Sequence, residues 1–216
     1  MGLSSPKILI TAGPTREFLD PARFISNPST GLMGYEIAKC ALEAGMEVTL
    51  ISGPVLLTVP KKINLVSIVT AQEMFEAVRK FFPSCSALVM TAAVSDYRPV
   101  SYSKGKLKKS RERLRVDFVR NPDILEWAGK NKKNQLLIGF AAETEDVIQN
   151  GIKKLKAKNL DLVIANKIGA NDAGFESQSI RCAFLSRRKA DSKLRIMKKS
   201  AAAKKIIKIV KDVFIG

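Results

Sequence analysis

The stretch ITAGPTREFLDPARFISNPSTGLMG, which runs from Ile10 to Gly34, decides how the chain begins to fold. A short apolar strand pattern leads into it, and a helical pattern follows it. In a plain nucleotide-binding unit the turn between strand and helix takes only a few residues. This connection is much longer and is rich in Thr, Arg, Asp, Ser and Asn. We therefore interpret it as a loop that holds a polar, anionic ligand at the N-terminus of the helix.

Apolar runs alternate with amphipathic segments along most of the chain. The predicted strands cover residues 7–11, 47–52, 64–69, 87–91, 114–119, 136–141 and 160–165. The predicted helices cover residues 32–44, 71–82 and 145–158, with a further helix that begins near 122. The strands are nearly continuous apolar runs, which is typical of a parallel sheet covered on both faces. The predicted fold is therefore α/β, a Rossmann-like three-layer fold with a mostly parallel sheet.

Two helix starts carry recognisable capping signals. Thr70 and Glu73 have the spacing of a capping box, in which each side chain bonds a backbone amide of the other residue. Asn121 precedes Pro122, and proline is common in the first turn of a helix, so we expect Asn121 to cap that helix.

The last part of the chain has a different pattern. Residues 180–185 and 194–197 flank a charged turn and predict a β-hairpin, and Ser200 is expected to cap a final amphipathic helix with a solvated lysine face. We predict one domain over residues 1–216, with a basic lid insertion at about 98–115 and the hairpin and terminal helix at about 178–216.

Composition excludes several classes of chemistry. The chain has no histidine, which removes Ser-His and Cys-His catalysis and histidine-based metal sites. Its three cysteines, Cys40, Cys85 and Cys182, are far apart, which argues against a disulfide framework and against zinc. We find no apolar stretch long enough to span a membrane and no signal-peptide pattern, so we expect a cytoplasmic protein without a membrane partner.

A formal net charge of +17 at pH 7 leaves three interpretations open. The charge fits a nucleic-acid-binding protein, a generally basic surface or a pocket for polyphosphates. Residues 98–120 contain nine basic and two acidic residues, centred on 104–109. This segment is either a solvated surface loop or a lid that closes over a triphosphate and excludes water.

In an open parallel sheet, ligands bind beyond the carboxyl ends of the strands. Polar residues recur at those predicted ends, among them Ser52, Asp96 and Asn166. Asp96 precedes the basic segment, where it would bind a nucleotide base or Mg²⁺, or simply cap a turn. The strict dinucleotide fingerprint is missing and no acidic residue ends the second strand, so an NAD-type site is disfavoured.

Several motifs occur in order along nearly the whole chain, from Lys7 to about Phe214. They are TAGPTRE-x-x-DP-x-R-x-x-SN-x-S-T-G-x-MG, AAVSDYRP, K-x-KK, NPDIL, GFAAET and KNLDLVIAN. Together they closely resemble the phosphopantothenoylcysteine synthetase family, as a stand-alone domain of bacterial type. The family joins 4′-phosphopantothenate and L-cysteine in coenzyme A biosynthesis. It uses CTP or ATP, forms a nucleotidyl acyl-phosphate, and releases pyrophosphate and the nucleoside monophosphate.

The resemblance implies roles for individual residues. Asn27 would hold the acyl-nucleotide intermediate and Lys106 would be the lid lysine on the phosphates, both in catalytic positions. Arg23, with Asn27 and Ala93, would bind the pantothenate substrate. The nucleotide would be bound by Ala92, Asp96, Lys106, Asn121, Pro122, Asp123, Ile124, Phe140, Lys154 and Lys158. Leu32 departs from the family pattern, in which many members have lysine.

The same resemblance implies Mg²⁺ with the nucleotide phosphates, no flavin, and a homodimer in which the terminal hairpin adds to a sheet across subunits. The residues that bind the metal and the base that deprotonates the cysteine amine stay open.

Two other functions compete with the ligase. A nucleic-acid-binding protein would use the charge, but we find no zinc finger, RNP aromatics or clear helix-turn-helix. A catalytically silent homologue is disfavoured by the intact Asn27, Asp96 and Lys106.

Overall fold

The computed structural model describes residues 5–108, 113–169, 177–188 and 190–214. A central sheet of eight strands has the order β12-β11-β10-β9-β6-β1-β4-β5. Its parallel part is formed by β1 Lys7–Ala12, β4 Glu47–Ser52, β5 Asn64–Ser67, β6 Ala87–Met90, β9 Leu136–Glu143 and β10 Leu162–Lys167. The remaining two strands, β11 Ser179–Ser186 and β12 Arg195–Lys198, are antiparallel to their neighbours.

Helices cover both faces of this sheet. They are α1 Leu32–Glu43, α2 Ala71–Phe81, α3 Ile124–Asn131, α4 Val147–Ala157 and α5 Lys199–Phe214, with a 3-10 turn at Phe82–Ser84. Because side chains alternate along a strand, Ile8 and Ile10 of β1 pack with α1 and α5, whereas Leu9 packs with α2, α3 and α4. Two apolar cores therefore lie on either side of the sheet, and the predicted three-layer α/β class is confirmed.

The predicted tail hairpin is present, and it continues the central sheet of its own chain. β11 pairs with β10 and β12 pairs with β11, both antiparallel. α5 begins at Lys199 directly after β12, so the prediction that Ser200 caps this helix is wrong. The exposed lysines of α5 surround a buried stripe that includes Ile206 and Val210, as the amphipathic pattern predicted.

Two small hairpins lie outside the main sheet, and the sequence did not predict them as hairpins. β2 Arg16–Asp20 pairs with β3 Arg23–Ser26 inside the opening stretch, and β7 Tyr97–Pro99 pairs with β8 Phe118–Arg120. The strand predicted at 114–119 is therefore shorter and shifted towards the C-terminus, because only three residues face a partner strand. Their strands have three to five residues, too few to give a clear alternating pattern.

The helix caps differ in how well the sequence predicted them. The capping box of Thr70 and Glu73 is confirmed, with reciprocal hydrogen bonds between each side chain and the other residue's backbone. Asn121 does not cap α3, contrary to the prediction. Asp123 caps it instead, since its carboxylate accepts a hydrogen bond from the Glu126 amide at 2.9 Å.

Candidate functional site

The opening stretch and the loop after β6 are joined at the carboxyl edge of the sheet. The Ala93 amide donates to the Gly13 carbonyl at 2.9 Å, and the Ser95 amide donates to the Thr15 hydroxyl at 3.0 Å. Asn27 Nδ2 donates to the carbonyl oxygens of Ala93 at 3.2 Å and Val94 at 3.1 Å. Asn27 therefore fixes the two segments to each other at the edge where ligands bind in such sheets.

The start of α1 lies very close to β1, and two glycines make this possible. Gly31 has φ 78°, a left-handed conformation that favours glycine. A Cβ on Gly34 would lie 2.5 Å from the Ala12 Cβ and 2.7 Å from the Thr91 hydroxyl oxygen. Gly31 is the N-cap of α1 and offers no side-chain cap, although the Leu32 amide donates to the Thr30 hydroxyl at 3.4 Å. The first turn of α1 lines the α1 cavity described below.

Two adjoining cavities open at this edge. We call the first the α3 cavity: it has a volume of about 430 Å³ and lies against the N-terminus of α3. The second, the α1 cavity, has a volume of about 610 Å³ and lies against the N-terminus of α1. The residues that line both cavities are Ala92, Val94, Asp96, Phe140 and Lys154. The two cavities therefore share one boundary, formed by these residues.

The α3 cavity collects most of the residues that the sequence assigned to a nucleotide. Those that line it are Ala92, Asp96, Asn121, Pro122, Asp123, Ile124, Phe140, Lys154 and Lys158. Asn27 and Ala93, expected to bind the pantothenate substrate, line the α1 cavity instead. The structure thus brings the expected nucleotide residues together and places two of the expected substrate residues in the neighbouring space.

Asp123 and Lys158 form an ion pair at the wall of the α3 cavity, between the start of α3 and the end of α4. Lys158 Nζ lies 2.7 Å from Asp123 Oδ2, while Asp123 Oδ1 accepts from the Glu126 amide. Desolvation acts to raise the pKa of Asp123, but the Lys158 hydrogen bond, the Glu126 amide and the charges of Lys158 and Lys154 outweigh it and lower the pKa. Asp123 is therefore an anion that holds a cation at the cavity wall.

Lys154 lies one helical turn before Lys158. Its Nζ donates to the Phe140 carbonyl oxygen at 2.6 Å. Burial lowers the pKa of Lys154, and the nearby charge of Lys158 lowers it further. Two cations thus lie side by side on one helix face. An anionic ligand would reduce their mutual repulsion and offset the free-energy cost of their desolvation.

Asn121 uses both ends of its amide to hold the cavity rim. Its Nδ2 donates to the Ser95 carbonyl at 2.8 Å, and its Oδ1 accepts from Arg98 Nη1 at 3.0 Å. The Asn121 backbone amide also donates to the Asp96 carbonyl at 2.8 Å. These bonds hold the loop after β6 against the entry to α3 and explain why Asn121 is not available as a cap.

Arg23 and Lys106 are not among the residues that line either cavity. Arg23 Nη1 donates to Asp20 Oδ2 at 3.1 Å, and its Nη2 donates to the Leu107 carbonyl at 3.1 Å. Lys106 is exposed. Part of the expected lid, residues 109–112, lies outside the described residues, and with it Lys109 of the K-x-KK motif.

The α1 cavity also contains polar residues that the sequence did not single out for this site. Lys167 follows Asn166 at the end of β10, and Lys199 lines the same space although only 6% of it is exposed. Burial lowers the pKa of Lys199. The position of Asn166 after a strand gave a signal, whereas Lys199 is one of many lysines in the tail and gave none.

Among the described residues, metal ligands do not cluster and the cysteine thiols are unreactive. No group of three or more His, Cys, Asp or Glu that could hold a metal ion is found among residues 5–108, 113–169, 177–188 and 190–214. All three cysteines are free, and burial raises the pKa of Cys85 to about 12 and that of Cys182 to about 11, so these two are poor nucleophiles at neutral pH. In the part of the chain that the structure describes, no helix is both long and apolar enough to cross a membrane.

Comparison with known proteins identifies the family. The family described as the DNA/pantothenate metabolism flavoprotein C-terminal domain matches residues 3–214. The chain belongs to this family. The resemblance found in the sequence motifs is thereby confirmed, since the matched relatives include coenzyme A biosynthesis bifunctional proteins.

Two curated relatives show how much of a longer protein the chain represents. The coenzyme A biosynthesis bifunctional protein CoaBC of Bacillus subtilis (strain 168) is 45% identical over 174 residues, which cover 80% of this chain and 43% of that protein. The protein of the same name from Borreliella burgdorferi is 39% identical over 211 residues, covering 96% and 53%. The chain therefore spans about half the length of the curated relatives it matches.

A solved structure supports the family assignment at the level of the fold. The crystal structure of the C-terminal domain of a CoaBC protein superimposes with a TM-score of 0.82 at 36% identity, covering 97% of this chain and 96% of that one. The family architecture thus agrees with the eight-stranded sheet and its covering helices.

Proposed function

We propose that this chain is a phosphopantothenate–cysteine ligase of coenzyme A biosynthesis, with a cytoplasmic location. In the first step, the carboxylate of 4′-phosphopantothenate attacks the α-phosphorus of CTP or ATP, forms a nucleotidyl acyl-phosphate and releases pyrophosphate. In the second step, the amine of L-cysteine attacks the acyl carbon, so that an amide forms and the nucleoside monophosphate leaves. Membership of the family and the ligase-specific motifs support this reaction.

The observation that carries the proposal is the pair of adjoining cavities. The α3 cavity is lined by Lys154 of α4, by Lys158 directly after that helix, and by all the other residues expected to bind the nucleotide except Lys106, while Asn27 lines the α1 cavity. A nucleotidyl acyl-phosphate has two ends, and the shared wall around Asp96 and Phe140 would lie near their junction. A dinucleotide would not require this arrangement of Asn27 and paired lysines.

The chemistry suits the side chains that are present. An ionised carboxylate needs no general base to attack phosphorus, so the first step depends on positioning and on neutralising phosphate charge. Lys154 and Lys158 supply charge from one wall, and Lys106 would supply it from the basic segment. We expect Mg²⁺ to bind with the triphosphate through phosphate oxygens and water, where it would neutralise further charge, and we propose no role for a flavin.

We further propose that the active protein is a homodimer. The apolar side chains exposed on the two small hairpins support this, since exposed apolar clusters mark association surfaces. These side chains are Phe24, Ile25, Tyr97, Phe118 and Val119. The edge strand β12, on which Ile196 is exposed, is a second candidate surface. It belongs to the terminal hairpin, which was expected to extend a sheet across subunits. Sedimentation velocity would give the mass of the particle in solution.

A panel of the four ribonucleoside triphosphates tests the function directly. Each is supplied with 4′-phosphopantothenate, cysteine and Mg²⁺, and pyrophosphate release and amide product are measured. We expect turnover with CTP, ATP or both. Turnover with none of the four would refute the ligase proposal, and a DNA or RNA mobility shift in the same buffer would then favour the nucleic-acid-binding alternative.

A further inference from the structure

The turn of the β2–β3 hairpin contains a buried carboxylate for which the proposed function has no role. The Asp20 side chain has no exposure to solvent. Its Oδ1 accepts hydrogen bonds from the amides of Ala22 at 2.8 Å and Arg23 at 2.9 Å. Its Oδ2 accepts from Arg23 Nη1 at 3.1 Å and from the Leu107 amide at 3.0 Å. A buried charge is tolerated only when it is paired in this way.

The contact with Leu107 joins two distant parts of the chain, 87 residues apart. Arg23 Nη2 donates to the Leu107 carbonyl at 3.1 Å, so the Asp20–Arg23 pair binds both backbone polar groups of Leu107. A second tie lies nearby, where the Ser103 amide donates to the Leu19 carbonyl at 2.9 Å. The basic segment is therefore anchored to the hairpin turn through its backbone.

Lys106 stands directly beside this anchor. Its side chain is exposed, and among the residues that the structure describes it makes no hydrogen bond or ion pair. The backbone next to Lys106 is held while the ammonium group stays available. This arrangement suits a cation that must reach a ligand. A fixed backbone limits the positions that the ammonium group can adopt, so less conformational entropy is lost on binding.

We propose that Asp20 is a positioning residue that fixes the backbone at Leu107 and thereby places the Lys106 ammonium for the triphosphate. This inference rests on the proposed ligase function.

A carboxylate is the group this position requires. An ionised Asp only accepts hydrogen bonds, and its two oxygens can take all four donors. Desolvation acts to raise the pKa of Asp20, but the amides of Leu107, Ala22 and Arg23 and the Arg23 charge outweigh it and hold the pKa below its usual value. Asparagine at this position could keep the turn through its oxygen, but its NH₂ would face the Leu107 amide and Arg23, which are both donors.

Asp20→Asn is therefore the variant that breaks the anchor with the least change to the turn. Asp161→Asn is its matched control, because Asp161 also joins a cation and a leucine amide, through Lys132 Nζ at 2.9 Å and the Leu137 amide at 2.7 Å. Asp161 precedes β10, at the opposite edge of the sheet from the cavities. Both variants lose a bridging carboxylate, but only one of them touches the basic segment.

Two measurements report whether the backbone at Leu107 is held in place. Hydrogen exchange of the Leu107 amide and tryptic cleavage at 104–108 do not depend on activity. We expect both to be faster in Asp20→Asn and unchanged in Asp161→Asn. Pyrophosphate release at saturating substrates should fall by about 10- to 100-fold in Asp20→Asn, as is typical when a catalytic group is displaced by about 1 Å, with the KM for cysteine unchanged.

A double-mutant cycle separates positioning from stability. If Asp20 acts through Lys106, then Asp20→Asn should cause little further loss in a Lys106→Gln background, whereas a merely structural effect would multiply with it. Leu107→Pro removes the same hydrogen bond from an exposed segment, so it tests the anchor even if Asp20→Asn folds poorly. Multiplicative losses, or wild-type exchange at Leu107 in Asp20→Asn, would overturn the proposal.

The ligase function and this inference can fail separately. If the wild-type protein shows no turnover with any triphosphate, the ligase proposal fails, and with it the catalytic purpose assigned to Lys106. Hydrogen exchange and cleavage would then still decide whether Asp20 holds Leu107. If the wild-type protein turns over and Asp20→Asn matches Asp161→Asn in rate, the ligase stands and the positioning role of Asp20 is refuted.

Discussion

The cations that we assign to the proposed site are held in opposite ways in its two parts. On the α3–α4 side, the ammonium groups of Lys154 and Lys158 are held by the Phe140 carbonyl and the Asp123 carboxylate. In the basic segment the Lys106 ammonium is exposed, and it is the neighbouring Leu107 backbone that is held. The α3–α4 side, which we call the wall, is preorganised through its side chains. The basic segment, which we propose to be the lid, is preorganised through its main chain.

This difference has an energetic consequence. The wall lysines are desolvated when the protein folds, so their cost and their partners form part of its stability. Lys106 is hydrated in the described conformation and contributes little to folding. We therefore expect changes in the lid to alter rate without altering stability, and changes in the wall to alter both.

Lys106→Gln should have the largest effect. Loss of a cation aimed at developing phosphate charge should lower the rate of pyrophosphate release by about 10²–10³-fold, while the melting temperature stays within error of the wild type. Lys104→Gln, in the same exposed segment, is the control and should keep near-normal activity. A large fall in melting temperature for Lys106→Gln would contradict the distinction between lid and wall.

Asn27→Asp comes next, because Asn27 joins the opening stretch to the loop after β6 at the edge of the α1 cavity. The new carboxylate would face the carbonyl oxygens of Ala93 and Val94 and stand beside an anionic acyl-phosphate. We expect single-turnover amide formation to slow by about 10²-fold, the lower end of the loss seen when one stabilising donor is removed. Asn131→Asp is the control, since Asn131 also donates to a carbonyl, that of Trp127, away from both cavities. An unchanged single-turnover rate would remove the proposed role of Asn27.

The wall was much easier to predict from the sequence than the lid. Strand-end position singled out Asp96, and helical spacing placed Lys154 and Lys158 on one face, whereas Phe140 was assigned only through the family resemblance. Their convergence on one cavity follows from the rule that parallel strands present their carboxyl ends at one edge. Sequence reasoning therefore works where geometry is set by regular secondary structure.

The anchor of the lid could not be predicted because it depends on a contact between irregular segments. Nothing in the local sequence connects Asp20 with Leu107. The Asn121 cap was wrongly predicted for a related reason, since Asn121 and Asp123 are both good capping residues and only the contacts of Asn121 with Ser95 and Arg98 decide between them. The fold follows from local patterns, but this part of the site does not.

Lys158→Met tests the wall from its cationic side. If Lys158 binds the nucleotide phosphates as proposed, the change removes a charged hydrogen bond to them, so the KM for the triphosphate should rise by about tenfold with a smaller change in kcat. It also breaks the pair with Asp123, so stability should fall by about 0.2–1 kcal/mol, as expected for a pair that is partly exposed. Lys130→Met, which breaks the exposed pair with Glu126 on α3, should leave the KM unchanged. Equal KM values for the two variants would show that Lys158 does not bind phosphate.

Asp123→Asn should have the smallest effect, a small loss of folding stability. It removes the negative charge of Asp123 while keeping a side chain of nearly the same shape. Asparagine is also a good N-cap, so α3 should keep its start while Lys158 loses its anionic partner. The pKa of Asp123 lies below its usual value of 3.8, so the ionised form stabilises the folded state above that value, and the gain is lost as pH falls through the folded-state pKa.

Chemical denaturation from about pH 7 to about pH 3 measures this effect. The wild type should be more stable than Asp123→Asn at neutral pH, by less than about 1 kcal/mol because the pair is partly exposed. The two stability curves should approach each other towards the acid end, because the stabilisation by the ionised carboxylate is lost progressively as pH falls below 3.8. A constant difference across the whole range would mean that the cap alone, and not the charge of Asp123, stabilises the wall.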